Sequence, residues 1–215
     1  SDPYNPFEEK YELTRQALKL IDEYRFGIGI ATKSDLITRD IDILKKIQSH
    51  SPVIVKMTIT TFDDELCKKI ERKVCTSNKR FEAIKKLSDN NIYTGILLMP
   101  LLPFINDNEE NIKNIIKKAY ECGAKFVFSY GLGVTLRKNQ REYYFEQLRK
   151  IFPQQNLDET YMNAFGEVYE NPCQNVNYLW KVFKEECEKY NILYKMEDII
   201  DDYKSKYERS QISWF

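Results

Sequence analysis

The sequence lacks the residue sets on which most metal and nucleophile chemistry depends. Its five cysteines include no CxxC or CxxxC pair, so we predict small buried side chains rather than metal ligands. Those cysteines are Cys67, Cys75, Cys122, Cys173 and Cys187. The single histidine, His50, ends a predicted helix far from any strand exit, which argues against a Ser/His/Asp or Cys/His catalytic set. The sequence therefore predicts no metal site and no hydrolytic nucleophile.

Long apolar runs and an excess of charge are also missing. No stretch approaches the roughly 20 apolar residues that span a bilayer, and the first residues show no signal-peptide pattern. An odd number of cysteines is typical of reduced thiols, so we expect a soluble, cytoplasmic protein without a membrane partner. The 33 basic and 33 acidic residues give a net charge of +0, which argues against strong generic binding to nucleic acid. A local basic patch is compatible with that balance.

Amphipathic helices alternate with short apolar segments over the first two-thirds of the chain. The apolar segments predicted as strands are residues 26–32, 52–60, 94–100 and 124–130. Because these segments are largely apolar throughout, we predict a parallel sheet with both faces covered. An open doubly wound sheet and a closed or partial barrel both fit this alternation. No GxGxxG follows the first strand, which favours the barrel.

The pattern changes to helices alone after Arg137. We therefore predict a partial (β/α) barrel over residues 1–136 and a helical C-terminal extension over residues 137–215, packed on the barrel. Many Tyr, Phe and Trp side chains recur there at helical spacing, which favours core packing over a base-stacking platform, since no basic groove accompanies them. The last residues include Trp214 and Phe215, so we expect this tail to dock on the fold.

Ligands of parallel β/α folds bind at the carboxyl ends of the strands, where the loops converge. Lys33 follows the first predicted strand, where its ammonium can meet a ligand carboxylate or phosphate. An ion pair with Asp2, Asp35 or Asp63 that only steadies this edge fits the same position equally well. Both interpretations of Lys33 stay open at this point.

Two threonines mark the end of the second predicted strand. Thr58 and Thr60 lie two residues apart, so their side chains share one face. If that face is the barrel interior, their hydroxyl groups can donate to a sugar or a carboxylate. Packing of β-branched side chains within the sheet is the alternative, and the residues alone favour it. No catalytic residue is named on this basis.

Several segments, in order along the chain, resemble one known family. Residues 1–6 (SDPYNP) resemble an S/T-D-P-Y-Q-P step, and residues 30–34 (IATKS) resemble a T-K-S strand end. Residues 58–66 (TITTFDDEL) resemble S-I-T-T-x-D-D-E-L. The match continues through residues 39–44, 80–84 and 95–107 to a closing QISWF, similar to Q-L-S-L-F. The ordered set resembles the spore photoproduct lyase-like proteins of the radical S-adenosylmethionine (radical SAM) superfamily, often labelled DNA repair photolyases.

The resemblance implies a partial (β/α)6 barrel in which a 4Fe–4S cluster, held by CxxxCxxC after the first strand, chelates S-adenosylmethionine. Reductive cleavage of that cofactor would yield a 5′-deoxyadenosyl radical that abstracts hydrogen from a substrate. By the same resemblance, Lys33 would meet the methionine carboxylate of the cofactor. The other implied contacts are Thr58 and Thr60 at its ribose or carboxylate, Leu98, Met99, Tyr130 and Gly131 at its adenine, and Asp2 and Tyr4 at its amino end.

The 215 residues depart from this family in one large respect. The cluster motif, the first strand with its helix, and the second strand have no counterpart in them. About four parallel strands remain, so we predict a fragment of a longer iron–sulfur enzyme that is inactive alone and binds neither S-adenosylmethionine nor a cluster. The missing β/α units would be its partner, and an exposed apolar first strand would offer an edge for oligomerisation.

Two classes of function follow from this departure. The resemblance implies a parent lyase acting in DNA repair, with nucleic acid as the substrate. The alternative is a natural cluster-free β/α module that binds an adenosyl or other small ligand without catalysis. An upstream cluster motif would favour the first class, and metal-independent affinity for an adenosyl ligand would favour the second.

Overall fold

A sheet of four parallel strands, in the order β1-β2-β3-β4, forms the centre of the fold. The structure is a computed structural model that describes residues 2–207. The strands are β1 (Ile28–Thr32), β2 (Val53–Thr58), β3 (Thr94–Leu97) and β4 (Phe126–Phe128). The predicted α/β class with four parallel strands is therefore confirmed. Each strand is shorter than the apolar segment that predicted it.

Helices connect the strands and cover one face of the sheet. They are α1 (Glu8–Tyr11), α2 (Leu13–Glu23), a 3₁₀ helix (Asp35–Asp40), α3 (Ile41–Gln48), α4 (Asp64–Ile70), α5 (Ser77–Asp89) and α6 (Glu109–Glu121). Leu44 of α3, Ile84 of α5 and Ile116 of α6 are buried in one core with Val55 and Ile96 of the sheet. Burying each side chain of this size contributes roughly 1.5–3 kcal/mol. The apolar helix faces thus hold the strands in register.

In the part of the chain that the structure describes, the opposite face of the sheet is covered only in part. Ile54 and Phe126 lie on that face and pack against Ile199 of a C-terminal helix, α10 (Met196–Lys204). In contrast, Gly29 and Ala31 of β1 are exposed. Among residues 2–207, the expectation of a sheet covered on both faces therefore holds for its centre and is wrong for β1. Within the described residues β1 also forms one edge of the sheet.

The segment after residue 136 is mostly helical but contains one strand. It holds α7 (Lys138–Ile151), α8 (Leu157–Phe165) and α9 (Val176–Lys189). A strand β6 (Glu170–Pro172) pairs antiparallel with β5 (Gly133–Thr135), so the expectation of helices alone is wrong there. Three residues are too few to produce a strand periodicity in the sequence. The pairing crosses the predicted boundary at residues 136–137, which stays a prediction.

Several aromatic side chains of the helical segment pack into a core, as expected, whereas Tyr143, Tyr169 and Tyr178 are exposed. Tyr161 of α8 is fully buried, and its ring meets that of Phe104 edge to face with centroids 5.3 Å apart. The ring of Tyr144 in α7 also contacts the Tyr161 ring, with centroids 5.5 Å apart. The predicted docking of residues 210–215 lies outside the described residues. Among residues 2–207, every helix is too short or too polar to cross a membrane.

Candidate functional site

Parallel pairing brings the strand ends to one edge of the sheet, here named the carboxyl edge: the last residues of β1–β4 and the residues that follow each. Thr32 of β1 lies opposite Met57 of β2, and Thr58 lies opposite Leu97 of β3. Leu97 in turn lies opposite Phe128 of β4. The residues that follow these strands therefore converge, and they include most of the positions predicted as ligand contacts.

Lys33 at the carboxyl edge is tied at both its main chain and its side chain. Its ammonium Nζ lies 2.6 Å from Oε1 of Glu71, with a third of the lysine side chain exposed. Its main-chain N–H donates to Oδ2 of Asp2 over 2.8 Å, and its carbonyl accepts from Cys75 Sγ over 3.0 Å. The predicted ion pair of Lys33 exists, but its partner is Glu71 and not Asp2, Asp35 or Asp63.

Glu71 joins Lys33 to a second cation. Its other oxygen, Oε2, lies 2.5 Å from Nη1 of Arg80, and only 9% of the Glu71 side chain is exposed. Burial alone would raise the pKa of Glu71, but the charges of Arg80 and Lys33 outweigh it and hold this pKa below its ordinary value. Glu71 is therefore an anion at neutral pH. We call Lys33, Glu71 and Arg80 the charged trio.

Arg80 is the fixed member of the charged trio. Its side chain is 0% exposed, although it belongs to α5 and carries a full charge. Its Nη1 donates to the carbonyl of Thr58 over 2.9 Å, while Nε and Nη2 donate to the carbonyl of Cys75 over 2.9 and 2.7 Å. A buried guanidinium needs such acceptors, because leaving its N–H groups unpaired is costly. The Arg80 guanidinium thus supplies the hydrogen-bond donor for the last carbonyl of β2.

The two predicted threonines occupy different environments. Thr58 is half-buried and offers its carbonyl to Arg80, whereas Thr60 is buried with its Oγ1 3.4 Å from Oε1 of Glu71. The carbonyl of Thr60 accepts from Nδ2 of both Asn106 and Asn111, each over 2.9 Å. We call these two asparagines the amide clasp. It fixes the chain just beyond β2.

Asp2 and Tyr4 lie beside the end of β1. The Asp2 carboxylate accepts from Thr32 Oγ1 over 2.7 Å and from the Tyr4 N–H over 2.9 Å, besides the Lys33 N–H. The Tyr4 ring is buried, and its hydroxyl donates to Oδ2 of Asp40 over 3.1 Å. Burial and the Asp40 carboxylate raise the pKa of Tyr4 above its ordinary value. The Tyr4 hydroxyl is consequently engaged within the protein.

Leu98, Met99, Tyr130 and Gly131 follow β3 and β4. Leu98 is buried, and its N–H donates to the carbonyl of Phe128 over 2.9 Å. The hydroxyl of Ser129 contacts the carbonyls of Leu98 and Gly131 at 2.9 and 3.2 Å. Tyr130 is 89% exposed, and a methyl group built at Gly131 would meet no atom within 4 Å. The fold therefore brings these four residues together next to open space.

A surface cleft borders the carboxyl edge near β1. Its volume is about 870 Å³, and its lining includes Asp2, Tyr4, Arg39, Lys73 and Lys86. The residues at the ends of β2–β4 do not line it. The cleft therefore lies beside the candidate site and does not contain it.

The described residues do not fit a 4Fe–4S cluster. Within residues 2–207, no group of three or more His, Cys, Asp or Glu side chains is arranged to hold a metal ion. Cys67, Cys122, Cys173 and Cys187 are buried. Burial raises the pKa of Cys173 to about 12 and also raises the pKa of Cys75, which disfavours at both residues the thiolate form that ligates a metal.

Sequence reasoning missed the residues that organise this edge. Arg80 lies in residues 80–84, a segment that carries the family resemblance, but the sequence assigned it no role. Glu71, Asn106 and Asn111 were not predicted as site residues. One sequence signal could have identified Arg80. It lies on the same apolar stripe of its helix as Phe81, Ile84 and Leu87. A charged residue on an apolar stripe indicates a buried ion pair.

Residues 3–114, about half of the chain, match the sequence model of the Radical SAM superfamily. The chain is 40% identical over 109 residues to the uncharacterized protein MJ0683 of Methanocaldococcus jannaschii, a match that covers 51% of this chain and 40% of that protein. It is 26% identical over 172 residues to the uncharacterized protein ORF301 of Acidianus two-tailed virus, covering 78% of this chain and 55% of that one.

Solved structures share the fold. A spore photoproduct lyase variant superposes with a TM-score of 0.61 at 11% identity, covering 86% of this chain and 55% of the lyase. Another variant, with bound AdoMet and dinucleoside spore photoproduct, gives a TM-score of 0.59 at 13% identity over 86% and 55% of the two chains. The chain spans about half the length of the proteins that it matches.

Proposed function

This chain belongs to the radical SAM superfamily, and we propose that it is the C-terminal part of a spore photoproduct lyase-like enzyme that binds S-adenosylmethionine along its carboxyl edge. The observation that carries the proposal is the position of Lys33. Lys33 follows β1, a third of its side chain is exposed, and its ammonium pairs with the nearly buried carboxylate of Glu71. A carboxylate is the group that such an ammonium attracts, and S-adenosylmethionine carries one.

The remaining contacts follow the shape of the carboxyl edge. Thr60 presents its hydroxyl beside the charged trio, where a ribose or carboxylate oxygen would meet it. The main chain at Leu98 and Met99, with the exposed Tyr130 ring and the open Gly131 backbone, would line the adenine. These groups follow β2, β3 and β4 at the same carboxyl edge as Lys33, so one extended ligand can span them.

Asp2 and Tyr4 would act at the amino end of the cofactor in different ways. The Asp2 carboxylate already accepts from Thr32, Lys33 and Tyr4, yet it is half-buried and keeps lone pairs for an ammonium group. The Tyr4 hydroxyl donates its hydrogen bond to Asp40. Tyr4 would therefore contribute by fixing the main chain around Asp2.

The electron source of the reaction belongs, in this proposal, to residues that precede Ser1 in a longer protein. The described residues fit a bound cofactor carboxylate but not a cluster, and the chain spans about half the length of its relatives. No step of electron delivery is therefore assigned to these residues. Their function is to bind and orient S-adenosylmethionine and to present it to a substrate.

A local basic segment supports a nucleic-acid substrate. Residues 68–86 contain eight Lys or Arg side chains against two acidic ones, within a chain whose total charge is zero. Lys69, Arg72, Lys73 and Lys79 of this segment are exposed. The contact of Glu71 with Lys33 anchors the segment to the carboxyl edge. Exposed cations there would attract phosphate groups, which supports a nucleic-acid substrate.

A second candidate function is a cluster-free module that binds an adenosyl ligand without catalysis. The observation that favours it is the combination of an ordered carboxyl edge with the lack of a fitting cluster-ligand set within residues 2–207. Both candidates use the same ligand contacts. They differ in whether S-adenosylmethionine binding requires residues upstream of Ser1.

The test is to determine the reading frame upstream of Ser1 and to compare the longer protein with the 215-residue chain. We expect at least about sixty further residues, the length of two β/α units, with a CxxxCxxC motif among them. Calorimetric titration of S-adenosylmethionine should then show clearly tighter binding to the longer protein. A start codon directly before Ser1 would contradict the radical enzyme, and binding by the short chain would then support the second candidate.

A further inference from the structure

We propose that Glu71 is a positioning residue: held by Arg80, it fixes the Lys33 ammonium at the place where the carboxylate of S-adenosylmethionine binds. This inference rests on the proposed function of Lys33 and adds two residues to it. Neither Glu71 nor Arg80 needs to touch the ligand. Their effect on binding would pass through the lysine.

The geometry divides the two oxygens of one carboxylate between two cations. Oε2 of Glu71 lies 2.5 Å from Arg80 Nη1, and Oε1 lies 2.6 Å from Lys33 Nζ. The carboxylate is nearly buried, so solvent does not compete strongly for either oxygen. The position of the ammonium is therefore set by the position of the guanidinium.

Arg80 supplies a rigid reference point for this arrangement. It is fully buried and donates to the carbonyls of Thr58 and Cys75, so its side chain has no free rotamer to adopt. The Lys33 main chain is fixed separately through Asp2 and Cys75. A free lysine side chain carries about 2 kcal/mol of rotamer entropy. Fixing it beforehand lowers the entropic cost of binding a ligand.

The charges leave room for one incoming anion. Lys33 and Arg80 are cations, and Glu71 is an anion, so the charged trio carries one net positive charge. The carboxylate of Asp2 is engaged by the hydroxyl of Thr32 and by two main-chain N–H groups, and not by the Lys33 ammonium. A ligand carboxylate at Lys33 would neutralise the charged trio.

Replacing Glu71 by Gln tests whether Glu71 fixes the position of the Lys33 ammonium. The amide of Glu71→Gln has one acceptor oxygen, and the buried Arg80 would take it, which turns the amide NH₂ toward the Lys33 ammonium. Two donors would then face each other, and Lys33 would lose its fixed position. Glu71→Asp keeps the charge for Arg80 but is one methylene too short to reach both cations. It serves as a second variant that preserves the buried pairing.

The experiment is a double-mutant cycle on S-adenosylmethionine affinity in the longest form of the protein. Isothermal titration calorimetry is run on the unsubstituted protein, Glu71→Gln, Glu71→Asp, Lys33→Ala and Lys33→Ala/Glu71→Gln. We expect each Glu71 variant to lose at least about fivefold in affinity, and the double variant to bind no more weakly than Lys33→Ala. Glu65→Gln, which breaks the exposed pair with Lys68 on the same helix, is the matched control and should bind normally.

A second readout does not depend on the ligand. NMR of the lysine ammonium groups should show slowly exchanging protons for Lys33 that become fast-exchanging in both Glu71 variants. Unchanged ammonium signals, additive affinity losses, or tighter binding by Glu71→Gln would each overturn the positioning role. If the unsubstituted protein does not bind S-adenosylmethionine at all, the proposed function fails, while the ammonium signals still decide whether Glu71 fixes Lys33.

Discussion

Nη1 of Arg80 donates to the main-chain carbonyl of Thr58 over 2.9 Å, so a helix side chain closes the end of strand β2. The carbonyl at the end of a parallel strand needs a donor, because the ladder stops there. Here the donor is a buried cation that also pairs with Glu71. The same group therefore serves the stability of the sheet and the order of the candidate ligand site.

Replacing Arg80 by Met should destabilise the chain strongly. The substitution removes the hydrogen bonds to Thr58 and Cys75 and leaves the nearly buried Glu71 carboxylate with Lys33 as its one cationic partner. Breaking a buried ion pair on one side costs about 3–5 kcal/mol. Urea unfolding followed by circular dichroism would measure the loss in free energy of unfolding.

Lys85→Met is the control for that substitution, since Lys85 lies on the same helix in an exposed pair with Asp89. Its urea midpoint should match that of the unsubstituted chain, because exposed pairs contribute little. Equal midpoints for Arg80→Met and Lys85→Met would contradict the structural role of Arg80.

The stabilisation from Glu71 should disappear in acid. Because its pKa is lower in the folded chain than the ordinary value of 4.5, the unfolded chain binds the proton first as the pH falls. The contribution is therefore complete well above pH 4.5 and is lost as the pH falls below it towards the folded-state pKa. The difference in free energy of unfolding between the unsubstituted chain and Glu71→Gln should narrow over that range. A difference independent of pH would refute this linkage.

Periodicity predicted the sheet because the four strands lie within longer apolar segments that alternate with amphipathic helices. The same method passed over β6 (Glu170–Pro172), whose pairing depends on β5 more than thirty residues earlier and leaves no local pattern. The sequence also placed Lys33 at the carboxyl edge, but none of the three acids considered as its ion-pair partner, Asp2, Asp35 and Asp63, is the one that pairs with its ammonium. Glu71 follows α4, and only the fold brings it back to the end of β1.

The amide clasp illustrates the same limit at the candidate site. Asn106 and Asn111 meet the carbonyl of Thr60 from 46 and 51 positions away in sequence. An asparagine in a turn, such as Asn106, or in the first turn of a helix, such as Asn111, is ordinary in composition, so nothing in the local sequence distinguishes it from a solvated one. Their role follows from tertiary distances, which neither propensity nor spacing supplies.

Replacing Asn111 by Ala should loosen the chain beyond β2. The substitution removes one donor to Thr60 and the acceptor for the Phe62 N–H, which lies 2.7 Å from Oδ1 of Asn111. Leaving such groups unpaired costs about 1–3 kcal/mol. Hydrogen exchange should show faster exchange at Phe62. Asn177→Ala, at an exposed position of α9, is the control and should leave both stability and exchange unchanged.

Two glycines at the sheet should respond in opposite ways to the same substitution. A methyl group at Gly95 of β3 would lie 2.4 Å from the carbonyl oxygen of Phe126 and 2.5 Å from its ring. Gly95→Ala should therefore cost about 1–3 kcal/mol by overpacking. Gly131→Ala meets nothing within 4 Å and should leave the thermal midpoint in place. Equal midpoints for the two variants would contradict the close approach of β3 and β4.

Replacing Lys33 by Ala should weaken S-adenosylmethionine binding in the longest form of the protein. A hydrogen bond between charged groups contributes about 1.5–3 kcal/mol, which corresponds to roughly 10- to 150-fold in affinity. Removing it should also lower the dependence of affinity on salt, since one charge interaction is lost. Lys79→Ala, an exposed lysine of the basic segment, is the matched control and should keep normal affinity for the free cofactor. Equal dissociation constants for the two variants, measured by calorimetry at two salt concentrations, would remove Lys33 from the ligand site and leave the charged trio as a structural feature of the carboxyl edge.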